Sequence, residues 1–329
     1  MRIEVCIEKI SKISQVLSKV LKGIKPDPFT DPRYYPPKNE DPESVSRFFF
    51  FMVAIDHRVS RPSKPYIAEI NGEVYEGADL LYRLGKITYD EDPSFFDPNR
   101  LKYISAHDIK KKFDISNAAI PDPETRAELL RDAATKLLEF YKGEVINIIK
   151  ESKNFLKHKG RGFIERLRIF KAYSDPVEKK SYLLAKFLER RKILEVKDWW
   201  NAEVPVDNHL VRIAFRLNLV TLDKETENRI RRYEEFKWHE DVEIRLAIRL
   251  AYKHLSKTLG ISPFYLDDFL WLFGKRCCNT EKPVCKSRCN DKCYEIKGCI
   301  ENCIFLELCK EANATRPITK YNYYSTWYY

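Results

Sequence analysis

Apolar residues recur at helical spacing along most of this chain, which predicts a mainly helical protein. The first such stretch runs from residue 3 to residue 22 and ends at Gly23. Residues 48–55, with the sequence FFFFMVAI, are apolar on every side, so we expect a buried helix capped by residues 44–47. The same periodicity predicts further helices over 78–84, 97–103, 105–113, 123–141, 163–173, 177–191, 241–259 and 263–273.

Two stretches depart from the helical pattern. Residues 66–77 alternate around an Asn-Gly pair, which predicts a β-hairpin and is the only convincing β signal. Residues 26–42 contain six prolines, which indicate an ordered but irregular arm. We therefore predict four segments, namely an N-terminal helix and arm (1–43), a helical body (44–274), a cysteine-rich region (275–314) and an aromatic tail (315–329).

The length and amino-acid composition limit the classes of protein to which this chain can belong. With 329 residues and 44% hydrophobic content, the chain can bury the core of two or three domains or subdomains. Its longest apolar run, 48–55, is much shorter than the roughly 20 residues of a membrane-spanning helix. We therefore expect a monomeric cytoplasmic protein without a membrane partner. The net charge of +10 is compatible with nucleic acid, but heat-adapted proteins also carry many charges of both signs.

Asp207 is the first candidate for chemistry. Pro205 fixes the entry to a helix whose apolar positions include Leu210, Ile213 and Leu217, so Asp207 is predicted at or near the helix N-cap. An N-cap aspartate is usually structural. His209 lies within one turn of Asp207. Two roles are open for its side chain, a structural hydrogen bond and a part in the active site. His57 follows the apolar helix directly, between two other polar residues, and is expected to line a pocket.

The Asp207 segment resembles the pattern V-D-x-H-x-x-R-x-x-x-R-L-G of helix-hairpin-helix DNA glycosylases, in which the matching aspartate is the catalytic acid. Over about two-thirds of the chain, the order of short motifs resembles the queuosine 5′-phosphate N-glycosylase/hydrolase family. These motifs are YEGADLL (75–81), RAELLRD (126–132), DPVEKK (175–180), VDNHL (206–210), EIR (243–245) and LDDFLW (266–271).

The resemblance implies a DNA-glycosylase-like helical fold and cleavage of an N-glycosidic bond. It implies that Asp207 is catalytic, stabilising the oxocarbenium-like transition state or activating water. A neutral lysine could instead attack the sugar and open a lyase path, and Lys179 and Lys180 are the candidates, although lysines such as these and Lys186 more often form a solvated face. The residues expected to bind substrate are His57, Lys179, Lys180, His209, Arg245 and Asp267.

Cysteines dominate the C-terminal region. Eight of nine fall between Cys277 and Cys309, which in an intracellular chain argues for metal ligation over a disulfide framework. The spacings within Cys278/Cys285 and Cys303/Cys309 resemble the two ends of the cluster motif of endonuclease III-like glycosylases. That family has a short gap between its second and third cysteines, whereas seventeen residues intervene here. The resemblance implies that these four cysteines ligate a [4Fe–4S] cluster, with zinc as the alternative.

The segment before Asp207 argues against a DNA-binding hairpin. Such a hairpin needs glycine to approach phosphate, yet the chain has no glycine between Gly162 and Gly260. Trp199 and Trp200 in this segment are expected to be core and surface cover. The favoured function is an N-glycosidase acting on a modified, 7-deazaguanine-type nucleoside 5′-phosphate. Two alternatives remain open, a [4Fe–4S] base-excision DNA glycosylase and an inactive nucleic-acid-binding module.

Overall fold

The computed structural model describes residues 1–22, 24–59, 64–323 and 326–329, and it confirms the predicted mainly helical fold. No helix in these ranges is long and apolar enough to cross a membrane. The strands are β1 (Ile3–Val5), β2 (Ile67–Ile70), β3 (Glu73–Glu76) and β4 (Val220–Leu222). The helices are α1 (Ile7–Val20), α2 (Pro42–Ile55), α3 (Ala78–Glu91), α4 (Pro98–Leu101), α5 (Ala106–Phe113), α6 (Pro123–Tyr141), α7 (Val145–Ser152), α8 (Phe163–Leu167), α9 (Lys179–Arg190), α10 (Asn208–Arg216), α11 (Lys224–Arg231), α12 (Trp238–Leu259), α13 (Pro263–Arg276) and α14 (Asp291–Glu295).

The chain forms two compact units. The first unit comprises Met1–Pro26 and Ala202–Thr326, and the second comprises Asp27–Asn201 and Trp327–Tyr329. The short N-terminal segment therefore belongs to the same unit as Asp207, and the last three residues belong to the unit that holds His57.

Helix α2 is the centre of the second unit. All residues from Phe48 to Ile55 are buried, as the apolar run predicts. The helix begins earlier than expected because Asp41 accepts a hydrogen bond from the Ser44 N–H (2.8 Å) and Pro42 occupies the first turn. Tyr173 stacks on Phe50 with ring centroids 5.3 Å apart. The helices α6, α7 and α9 pack around α2, so this helix organises the unit.

The predicted hairpin is confirmed. Strands β2 and β3 pair antiparallel from Ile67↔Glu76 to Ile70↔Glu73. Asn71 and Gly72 form the turn with positive φ angles of 53° and 81°, as a type I′ turn requires.

A second small sheet in the first unit corrects the predicted helix over 3–22 and the expectation of a single β element. Ile3–Val5 is a strand that pairs antiparallel with Val220–Leu222, and α1 begins only at Ile7. The Cys6 N–H continues the pairing with the Leu219 carbonyl (2.9 Å). Three residues are too few to show a period, and their partners lie more than 200 positions away along the chain.

Helix α12 is the centre of the first unit and packs against α1, α10, α13 and the β1–β4 sheet. Its predicted stripe is buried, including Ile244, Ile248 and Leu255. The helix starts at Trp238, before the predicted residue 241, because Glu240 accepts a hydrogen bond from the Lys237 N–H (2.8 Å) and caps the first turn. This core supports the residues around Asp207.

Candidate active site

Asp207 is the N-cap of α10, as the sequence predicts. Its Oδ1 accepts a hydrogen bond from the Leu210 N–H at 2.9 Å, and its backbone is extended. The side chain is partly exposed. Within the described ranges no residue donates a hydrogen bond to Oδ2. One carboxylate oxygen therefore fixes the helix while the other is available to a ligand.

Arg245 holds the loop on both sides of Asp207. Its guanidinium donates to the Val206 carbonyl (3.0 Å) and to the Asn208 side-chain oxygen (2.9 Å). The side chain is buried and forms an ion pair with Asp241 at 2.8 Å. These contacts position the carboxylate. Contact between Arg245 and a substrate stays a prediction.

His209 is a neutral imidazole beside the same loop. Its Nδ1 lies 2.9 Å from a guanidinium nitrogen of Arg212, which can only donate, so Nδ1 accepts and Nε2 carries the proton. Burial lowers the pKa of His209 to about 4, although the charge of Asp207 opposes this shift. The ring also makes an edge contact with Trp271. His209 thus offers one N–H donor near neutral pH.

Tyr252 links Asp207 and Asp267 electrostatically. Its hydroxyl donates to the Leu210 carbonyl (2.7 Å). Burial raises the pKa of Tyr252 well above its usual value, and the charges of Asp207 and Asp267 add to the effect. Asp267 lies on α13 and is buried. The first unit therefore brings Asp207, His209 and Arg245 to the region where α10 begins, and Asp267 lies within electrostatic range of Tyr252.

The other predicted site residues form a buried cationic cluster in the second unit. Nζ of Lys180 donates to the Ala54 carbonyl (2.6 Å) and lies 3.4 Å from Nδ1 of His57. Arg126 donates to the carbonyls of Ile55 (2.8 Å) and His57 (2.7 Å). Burial, followed by the nearby positive charges, lowers the pKa values of His57 and Lys180 well below their usual ranges. The cluster thus favours neutral forms of both groups.

The expectation of a solvated lysine face is wrong. Lys179, Lys180 and Lys186 are 7%, 0% and 5% exposed. Lys179 is the first residue of α9, and its N–H donates to Asp175 (2.8 Å). The sequence pattern misses this burial because the groups that solvate Lys180 come from α2 and from the C-terminal tail.

That tail, Trp327–Tyr329, covers the cationic cluster within the second unit. The Trp327 carbonyl accepts a hydrogen bond from Lys180 at 2.7 Å. The Tyr329 hydroxyl donates to Asp175 at 2.6 Å, and the Arg58 N–H donates to the Tyr329 carbonyl at 3.0 Å. No sequence signal pointed to this contact.

The eight clustered cysteines fall into two groups. Cys277 pairs with Cys293 and Cys289 pairs with Cys299, so the expectation of no disulfide framework is wrong for these four. Spacing alone gives no information on pairing. The other four are free thiols that line one cavity of about 10 Å³, and they are the predicted ligands Cys278, Cys285, Cys303 and Cys309.

These thiols are a donor set rather than a formed metal site. Over the described parts of the chain, no three His, Cys, Asp or Glu side chains are already arranged to hold an ion. Burial raises the pKa of Cys303 to about 12 and that of Cys309 to about 11. As free thiols, Cys303 and Cys309 are therefore protonated near neutral pH, and they are not ready nucleophiles.

Arg212 and Arg216 connect the helix of Asp207 to the cysteine-rich region. Arg212 donates to the carbonyls of Cys278 (2.8 Å) and Gly274 (2.8 Å). Arg216 donates to the Asn279 carbonyl (2.7 Å) and lies 3.3 Å from the Cys278 sulfur. Both side chains are buried. The sequence pattern alone predicts no role for these arginines, although their spacing of four places them on one face of α10.

Three further features bear on binding. Asp198 is buried and accepts hydrogen bonds from the Leu156 and Lys157 N–H groups, so it is structural. Trp199 and Trp200 are 39% and 71% exposed, which corrects the expectation that one lies in the core. A cavity of about 420 Å³ in the second unit, within the size range of small-ligand sites, is lined by cationic side chains that include Lys38, Lys150, Arg191 and Lys192.

Comparison with known proteins identifies a family for this chain. Residues 35–289 match the family described as queuosine salvage protein, a stretch that contains Asp207 and ends before Cys293. No curated protein matches the chain. Among solved structures, the chain is similar to 8-oxoguanosine-complexed Pa-AGOG, an 8-oxoguanine DNA glycosylase from Pyrobaculum aerophilum, at 14% identity and a TM-score of 0.44, over 88% of this chain and 94% of that one. Since the family match spans more than half of the sequence, the chain belongs to the queuosine salvage protein family.

Proposed function

We propose that this protein is an N-glycosidase that cleaves the base–sugar bond of a modified, 7-deazaguanine-type nucleoside 5′-phosphate. The observation that carries the proposal is Asp207, a partly exposed carboxylate inside the family-matched region. Its Oδ1 is held by the Leu210 N–H and its Oδ2 is available to substrate.

The reaction is a hydrolysis. The bond between C1′ and the base nitrogen breaks, and the base leaves with the bonding electrons and takes up a proton. Positive charge grows at C1′ and the ring oxygen, and the Asp207 carboxylate stabilises that charge. A water molecule bonds to C1′ and gives a proton to the carboxylate, which releases it to solvent, and solvent supplies the proton that the base takes up. The products are the free base and the sugar phosphate.

Neighbouring groups support the carboxylate. Arg245 is a positioning residue, because it holds the Val206 carbonyl and the Asn208 side chain on either side of Asp207. His209 supplies a neutral N–H donor to a sugar or base oxygen. Asp267 is the second acidic group near Tyr252 and would accept hydrogen bonds from substrate N–H or O–H groups.

The substrate-binding roles of His57, Lys179 and Lys180 stay predictions from the sequence. These residues carry donors in one buried cluster of the second unit. A lowered pKa favours a neutral amine on Lys180, the form that a lyase path through a Schiff base requires. Trapping with borohydride separates hydrolase from lyase, since only the lyase gives a covalent adduct.

A second candidate function is base excision from DNA, favoured by the exposed Trp199 and Trp200. Adjacent exposed indoles give a stacking surface for an unpaired base. A protein that binds nucleic acid without turnover is the third possibility. That reading requires Asp207 to be only a helix cap.

The test is base release measured by HPLC from two substrate sets in parallel. One set is a panel of free 7-deazaguanine 5′-nucleotides, and the other is a DNA duplex with assorted damaged bases. Release from the nucleotides alone supports the proposal. Release from the duplex alone, or salt-sensitive duplex binding without any release, contradicts it.

A further inference from the structure

The cysteine-rich region, residues 277–309, has little core of its own. Its only helix within the described residues is the five-residue α14, and turns and bends dominate the rest. The disulfides Cys277–Cys293 and Cys289–Cys299 join the start and middle of the region. Neither disulfide secures the stretch from Cys303 to Cys309. A further cross-link would stabilise the fold of this stretch.

Four free thiols lie where such a cross-link is needed. Cys278 and Cys285 come from the start of the region, and Cys303 and Cys309 come from its end, yet all four line one cavity. Apolar side chains, among them Leu217, Phe273 and Phe305, form much of the remaining wall. Four sulfur donors are the complete ligand set of a tetrahedral zinc ion or of a [4Fe–4S] cluster.

Two buried arginines next to the thiols indicate the charge of a group that the thiols would bind. Arg212 and Arg216 are 5% and 1% exposed, and their partners are carbonyl, hydroxyl, imidazole and sulfur atoms. In the part of the chain that the structure describes, no carboxylate lies within ion-pair distance of either guanidinium, and the charge of Asp207 acts on Arg212 from farther away. Buried charge without a counter-charge is costly. A doubly positive metal centre held by four thiolates has a net double negative charge and supplies one.

We propose that Cys278, Cys285, Cys303 and Cys309 bind one thiophilic metal centre, with Arg212 and Arg216 as its counter-charges. As the thiols draw together around the metal, each loses its proton and becomes a thiolate. Both arginines lie on α10, whose N-cap is Asp207, so the centre anchors the helix that carries the proposed catalytic carboxylate. The metal proposal itself stands independently of the proposed function. Cys303 and Cys309 lie beyond the family-matched region, so the family match does not cover the complete ligand set.

The experiment uses full-length protein purified without oxygen. Zinc, iron and acid-labile sulfide are measured per chain, together with the visible spectrum. We expect about one zinc, or about four iron with matching sulfide, and the second result identifies the cluster. Protein with neither metal near these ratios, even after incubation with zinc or with iron and sulfide, overturns the proposal.

Thiol alkylation mapped by mass spectrometry tests the ligands in the wild-type protein. A chelator should make the four named cysteines reactive, whereas Cys277, Cys289, Cys293 and Cys299 should require a reductant. Equal reactivity of the four before and after metal removal contradicts the assignment.

Variants give a second readout of the same assignment. The double substitution Cys278→Ser/Cys303→Ser should abolish metal binding. The matched controls Cys289→Ser/Cys299→Ser and Cys6→Ser should retain it. Arg216→Leu should weaken metal affinity at least tenfold, as loss of a neighbouring group usually does, while Arg229→Leu should not. Metal loss in the controls, or unchanged binding in the first variant, overturns the proposal.

Discussion

At the scale of single residues, the neighbours of Asp207 decide whether it is more than a helix cap. Its cap bond uses Oδ1, while Arg245 fixes the backbone before it and the side chain after it. A carboxylate held in this way keeps its direction while substrate binds, which is the condition for stabilising charge at a defined atom.

His209 predicts a pH dependence of stability. Its pKa falls from an ordinary value near 6.5 to about 4 in the folded protein. Between these values the unfolded chain binds more protons, so stability is complete above pH 6.5 and is lost as the pH falls toward 4. Between pH 7 and pH 5, wild-type protein should lose about 2 kcal/mol more unfolding free energy than His209→Gln. Urea unfolding at both pH values measures this, and equal losses would contradict the prediction.

The sequence predicts the residue types of the site better than their surroundings. Pro205 and the spacing of Leu210, Ile213 and Leu217 are sufficient to place Asp207 at a helix start. The burial of Lys180 is not predictable locally, because its carbonyl partners belong to Ala54 and Trp327, each more than 120 positions away. The positioning role of Arg245 is not predictable locally either, because its partners Val206 and Asn208 lie 39 and 37 positions away.

At the scale of elements, α10 is held by a close contact with α13. A β-carbon added to Gly274 would lie 2.9 Å from Cβ of His209 and 3.1 Å from Cδ1 of Ile213. Glycine is therefore needed at this position for packing. The contact keeps the first turn of α10, and with it Asp207, at a fixed distance from α13.

Gly274→Ala should destabilise the protein by about 1–3 kcal/mol, because the added methyl group forces two packed helices apart. The control is Gly85→Ala, another glycine inside a helix, where the new methyl meets the flexible end of Met52. The control should be much less destabilised, since alanine favours helix and the methionine can turn away. Denaturant unfolding compares the two, and an equal cost would contradict the packing argument.

Sequence periodicity predicts long elements well and short ones poorly. The bounds of α6 agree with the prediction, and the hairpin turn follows from Asn71 and Gly72. The pairing of Ile3–Val5 with Val220–Leu222 is missed, since three-residue strands have no measurable period. The starts of α2 and α12 are missed because polar caps, Asp41 and Glu240, extend them beyond their apolar stripes.

At the scale of the whole molecule, each unit is assembled from separated parts of the chain. The last three residues pack in the second unit, where they satisfy Lys180 and Asp175. Local sequence patterns do not predict that these three residues pack in the second unit, because their position depends on the distant residues that they contact.

Ending the chain after Thr326 should destabilise the second unit. Lys180 would lose the Trp327 carbonyl and Asp175 would lose the Tyr329 hydroxyl, and each buried group left without its partner costs about 1–3 kcal/mol. Hydrogen exchange of residues 54–58 and 175–180 should accelerate. Tyr328→Phe, which removes the exposed hydroxyl contact with Ser174, is the control and should leave exchange nearly unchanged. Unaltered exchange after truncation would contradict this account.

The central claim is that Asp207 performs the chemistry, and one comparison tests it most directly. Base release is measured for Asp207→Asn and for Asp223→Asn, whose aspartate caps α11 in the same unit through the Thr226 N–H. Asparagine caps a helix as well as aspartate does, so both variants should fold with nearly wild-type stability. Asp207→Asn should lose at least about 100-fold in kcat, and Asp223→Asn should keep wild-type turnover. Wild-type turnover by Asp207→Asn would show that this residue is only a cap.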